Sequence, residues 1–135
     1  MDQRLRYFYE ETRIKNASPA EMLVMLYDYL VQKAETAESE LAAPVGSEER
    51  VLAPRTVSHC IDIITELSSA LRPEHDPQLC ATLSGLYRFF AHEFSEALSK
   101  SDPGKIGAIL PLLRKLRTAW SQAQKTASRG QLVAA

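Results

Sequence analysis

The 135-residue chain has no run of about 20 apolar residues, the length a membrane-spanning helix needs, so it is not expected to cross a bilayer. It has two cysteines, too few for the disulfide framework of a small secreted domain. Both Cys60 and Cys80 lie in apolar-periodic segments and read as buried thiols in a reducing compartment. Its five glycines are scattered, which excludes a glycine-rich phosphate loop. The three histidines complete no ligand pattern. Three positions before His59, His75 and His92 stand Thr56, Arg72 and Phe89, where a di-metal bundle needs glutamate. Neither Cys-x-x-Cys nor His-x-x-x-His occurs, so no metal or cofactor is expected. No nucleophile–base constellation is recognisable, and the chain is not expected to be an enzyme. The opening MDQRLRYFYEETR mixes charge with aromatics and lacks the apolar core of a signal peptide, which points to the cytoplasm.

A formal charge of −1 gives no overall pull toward nucleic acid, but the charges are unevenly placed. Residues 103–135 carry Lys105, Arg114, Lys115, Arg117, Lys125 and Arg129 with no acid. Residues 18–41 carry Glu21, Asp28, Glu35, Glu38 and Glu40 against Lys33. This asymmetry favours the first and last helices as neighbours. Arg114, Lys115 and Arg117 are the best case for a phosphate-facing strip; without a recognition element beside them they read as a solvated bundle face, and no nucleic acid is expected as partner.

What the chain has is helical periodicity. Ser18, Pro19 and Glu21 form a capping box ahead of a helix from about Pro19 to Leu41, with Leu23, Leu26, Leu30, Ala34, Ala37 and Leu41 on one stripe. A second helix carries Val57, Ile61, Ile64, Leu67 and Leu71 and stops at Arg72 before Pro73; Ser47 can cap it, or Pro54 is its true first residue or a kink. A third opens with Asp76 and Pro77 and repeats Leu79, Leu83, Leu86, Phe90 and Phe94. A fourth opens with Asp102 and Pro103 and runs through Trp120 to Ala123, with Pro111 predicting a kink or a detached first turn. Short connections make an all-α, antiparallel up-and-down four-helix bundle the expected fold. One domain over residues 1–127 is expected, with 1–16 as an N-terminal segment and 128–135 as a flexible tail.

One feature exceeds what a bundle needs. From Met22 to Val31 only Asp28 is strongly polar, so apolar side chains sweep the whole helix circumference. Met22, Met25 and Tyr29 make a second stripe, and Val24, Tyr27 and Val31 a third. Either the monomer or a homodimer covers them, or they border a groove for a partner helix, a use that suits adaptable methionines. Tyr7, Phe8, Tyr9 and Ile14 precede the cap and could lie in such a groove until a partner displaces them.

These residues resemble the flagellar export chaperone FliS family from Tyr9 to about Ala123. A tyrosine ten residues before an Ala-Ser-Pro cap and a Met-Leu-Tyr-Asp run are met by Tyr9, Ala17, Ser18, Pro19, Met25, Leu26, Tyr27 and Asp28. Ile-Ile-x-Glu-Leu is met by Ile63, Ile64, Glu66 and Leu67, and Leu-x-x-Leu-Tyr by Leu83, Leu86 and Tyr87. The ending Leu-Leu-x-x-Leu-Arg-x-Ala-Trp is met by Leu112, Leu113, Leu116, Arg117, Ala119 and Trp120. One departure is Tyr29, where the family usually has glycine. The resemblance implies a bundle that holds the disordered C-terminal segment of flagellin on an apolar surface, an N-terminal segment that caps part of that surface, and escort to the flagellar type III export gate protein. Candidate groove residues are Met22, Met25, Tyr29, Ile61, Ile64, Leu67 and Leu71, with Tyr9 and Ile14 as a displaceable lid. Ser18, Pro19 and Glu21 are structural through the cap, and Tyr87, Phe90 and Trp120 through packing. The competing expectation is a self-associating regulatory bundle whose surplus apolar surface is a homodimer interface.

Overall fold

A computed structural model describes the backbone of residues 18–134 and the side chains of residues 18–127. Four long helices, α1 (Pro19–Ala42), α3 (Ala53–Ser69), α4 (Pro77–Ser99) and α5 (Pro103–Ala134), are joined by short connections, with a single-turn helix α2 (Glu48–Val51) before α3. Helix α1 packs on α3 and α5, and α4 packs on the same two, which closes an antiparallel ring.

The helix ends follow local chemistry. The Ser18 hydroxyl accepts from the Glu21 amide at 3.1 Å, and the Asp76 carboxylate accepts from the Leu79 amide at 3.1 Å. The Asp102 carboxylate accepts from the Gly104 amide at 3.0 Å. Both readings of the second helix are realised, each in its own element. Ser47 caps α2, its hydroxyl accepting from the Arg50 amide at 3.1 Å, while α3 starts afresh at Ala53 with Pro54 in its first turn. A proline there needs no amide partner, so the break falls just before it.

Pro111 detaches nothing: α5 is one helix from Pro103 to Ala134. Pro111 itself is exposed, so its ring takes no place in the core and the helix runs on past it. The helix read through Ala123 continues to Ala134.

The core answers part of the question raised by the first helix. Leu26, Leu30, Ala34, Ala37 and Leu41 of the first stripe are buried, and so are Tyr27 and Val31 of the third. They meet Val57, Cys60, Ile63 and Leu67 of α3, Leu83, Tyr87, Phe90 and Phe94 of α4, and Ile106, Ile109, Leu110 and Leu113 of α5. The charge asymmetry is satisfied at one seam, where Glu35 pairs with Arg114 at 3.4 Å and Asp28 with Arg117 at 3.7 Å, both from α1 to α5.

Candidate functional site: an apolar cavity at one end of the bundle

Three proline-marked boundaries lie at the same end. Pro19 starts α1, α3 stops short of Pro73, and Pro77 starts α4. Between these ends is a cavity of about 280 Å³. Its wall is Pro19, Ala20 and Leu23 from α1, Leu67 from α3 with Ala70 and Leu71 just past its end, Leu79, Cys80, Leu83 and Tyr87 from α4, and Trp120 from α5. Arg72, His75 and Asp76 of the α3–α4 connection complete the lining and are exposed. The lining is apolar because each helix carries its core stripe to its end, and Leu71 of the connection adds to it. Leu67, Leu83 and Tyr87 are buried while Leu79 is 44% exposed, which sets a floor and a lip.

The floor holds an aromatic polar pair. The hydroxyls of Tyr27 on α1 and Tyr87 on α4 lie 2.5 Å apart across the bundle. The indole of Trp120 hydrogen-bonds the Tyr27 oxygen. Burial pushes both phenols up from their ordinary value, and for Tyr87 the nearby Tyr27 adds to the rise. Burial likewise raises the Cys60 thiol, so it is inert as a nucleophile near neutral pH. Cys60 and Cys80 are both free thiols.

Of the groove residues named from the sequence, the cavity gathers Leu67 and Leu71. Met22, Met25 and Tyr29 are half-buried on α1 and line no part of it. Ile61 is half-buried against the core and Ile64 lies in it, 3% exposed. Tyr29 has the Lys33 ammonium 5.5 Å from its ring centre, so the bulk that replaces the usual glycine supports a cation. Tyr9 and Ile14 lie outside the described residues. Tyr87, Phe90 and Trp120 pack as expected, Tyr87 and Phe90 within the core and Trp120 against it. The sequence reading missed Leu23, Leu79 and Leu83 as lining residues, having placed them in the core stripes. Their signal was positional, since all three stand within two turns of a proline-started helix.

Among the described residues no cluster of histidine, cysteine or carboxylate side chains is arranged to hold a metal ion. Among them too, no helix is long and apolar enough to cross a membrane.

The fold and this site define a small all-α bundle with an apolar cavity at one end. The family described as Flagellar protein FliS matches residues 1–127, and the chain belongs to that family. The flagellar secretion chaperone FliS of Vibrio cholerae serotype O1 (strain ATCC 39315 / El Tor Inaba N16961) is 24% identical over 115 residues, spanning 83% of this chain and 79% of the relative.

Proposed function

We propose that this chain is a cytoplasmic, non-enzymatic export chaperone that holds the disordered C-terminal segment of flagellin and delivers it to the flagellar type III export gate. The observation that carries the reading is the apolar cavity of about 280 Å³, placed where residues 1–17 join α1. Family membership and the secretion-chaperone relative support it. A subunit that polymerises through its terminal segments must have the sticky segment covered until export. An apolar cavity anchors such a segment, and the half-buried Met22, Met25, Tyr29 and Ile61 offer further surface along the bundle. Folding a disordered segment onto a surface typically buries about 1,000–3,000 Å² and costs about 2–5 kcal/mol in ordering, which keeps the complex releasable. Residues 1–16, with Tyr9 and Ile14, are proposed to cover the cavity until the segment displaces them.

Calorimetry of the full chain with a flagellin C-terminal segment tests this, repeated after deletion of residues 1–16. Saturable binding with a negative heat-capacity change is expected, and tighter binding by the shortened chain. An absence of binding, or a stable homodimer by light scattering that ignores the segment, would refute the reading.

A further inference from the structure

The mouth of the cavity carries a cation that the bundle does not neutralise. Arg72 follows the end of α3, and its Nη1 donates to the carbonyls of Ser69 and Leu71 at 3.3 and 3.2 Å. Those bonds serve carbonyls at the end of α3 and hold one side of the guanidinium in place. The His75 amide donates to the Arg72 carbonyl at 3.0 Å, and this turn brings both side chains onto the cavity lining. Among the described residues the Nε and Nη2 of Arg72 have no partner, and no carboxylate pairs with the guanidinium. Asp76, the acid on the lining, caps α4 instead, accepting from the Leu79 amide. A planar guanidinium anchored through one nitrogen presents its other edge as a two-donor fork, the shape that a carboxylate fits. Behind that fork lies the space of about 280 Å³ walled by Leu23, Leu71, Leu83 and Trp120. An occupant that suits both parts carries a carboxylate close beside an apolar group. The end of a peptide has this constitution, since side chain and α-carboxylate leave the same carbon. An internal apolar residue offers only neutral amides at that place.

We infer that the cavity reads the free C-terminus of the flagellin segment: an apolar side chain at the chain end fills it, and Arg72 takes the α-carboxylate in a bidentate pair, with the His75 imidazole as a further donor at the mouth. This rests on the chaperone reading and deepens it, because it names which part of the cargo sits here. Hydrocarbon walls alone would let an apolar segment slide along the bundle. A charge met at one position fixes the register, since a shifted segment would bring its carboxylate against apolar wall.

Calorimetry of the full chain at fixed ionic strength tests this with the flagellin C-terminal segment as a free acid and as a C-terminal amide. The amide should bind about three- to tenfold more weakly, the size of one charge-assisted pair at a partly screened position. Extending the segment by a few residues past its natural end should weaken binding by the same factor, since it carries the carboxylate away from the fork. Arg72→Gln should weaken the free acid to the level of the amide and abolish the difference between them. Equal affinity for acid and amide on the unaltered chain would overturn the inference while leaving the chaperone reading intact, and that comparison depends on no variant folding. A preference for the acid that survives Arg72→Gln would overturn it too. Failure of the unaltered chain to bind either peptide would refute the chaperone reading itself.

Discussion

Alkaline titration reads the buried core directly. Tyr27, Tyr87 and Cys60 are each held protonated in the fold by burial, above ordinary values of 10.0 for the phenols and 9.0 for the thiol. Below those ordinary values folded and unfolded chains carry the same protons, and the three groups leave stability unchanged with pH. Above them the unfolded chain releases protons that the folded chain keeps, so stability is lost as pH rises. One proton difference is worth about 1.36 kcal/mol per pH unit. At about pH 10.5 the thiol contributes about 2 kcal/mol of loss and Tyr87 about 0.8, for a total of about 3 kcal/mol, and Tyr27 adds in the same direction. That is a large part of a typical domain stability of about 5–15 kcal/mol. Urea unfolding followed by circular dichroism across this range measures the loss, and Cys60→Ala should move its onset upward by about one pH unit. Phenolate absorbance gives a second reading: of the five tyrosines, two should resist ionisation until the protein unfolds. Stability that stays flat to pH 11, or all tyrosines ionising together in folded protein near their ordinary value, would refute the buried pair.

Other substitutions separate contacts that matter from those that do not. Gly85 lies inside α4, and beyond its chain neighbours and the helix's own backbone nothing stands within 4 Å of where a Cβ would be, so Gly85→Ala should stabilise the protein by about 0.5–1 kcal/mol in thermal or urea melts. A loss of stability would show that α4 needs that glycine for a contact the fold does not display. The Asp28–Arg117 pair has side chains 52% and 35% exposed, and Asp28→Asn should cost at most about 1 kcal/mol, less in high salt. A cost of several kcal/mol would mean the α1–α5 seam relies on charge instead of packing.

Most of the architecture was legible in the sequence because caps and stripes are local signals. Ser18, Asp76 and Asp102 mark helix starts by the same chemistry wherever they occur, and all three accept backbone hydrogen bonds where expected. Of the kink or detached first turn read at Pro111, the detached turn is not found, since the helix runs on through the exposed proline. The site was less legible. Leu79 and Leu83 share one stripe, yet one is a lip and the other a floor, since exposure depends on what another helix places opposite. For the same reason periodicity does not separate Leu67, fully buried beneath the cavity, from Ile61, half-buried beside the core. The apolar excess of α1 was visible, but its division into core for Tyr27 and Val31 and partial exposure for Met22 and Met25 is a tertiary fact.

Trp120 is the sole tryptophan of the chain and lies in the cavity wall, so its fluorescence reports occupancy without a label. Titrating the full chain with a tryptophan-free flagellin C-terminal segment should shift its emission to the blue and protect it from acrylamide, saturating with the calorimetric affinity. Binding with no change in Trp120 emission or quenching would place the cargo elsewhere and contradict the assignment of this cavity.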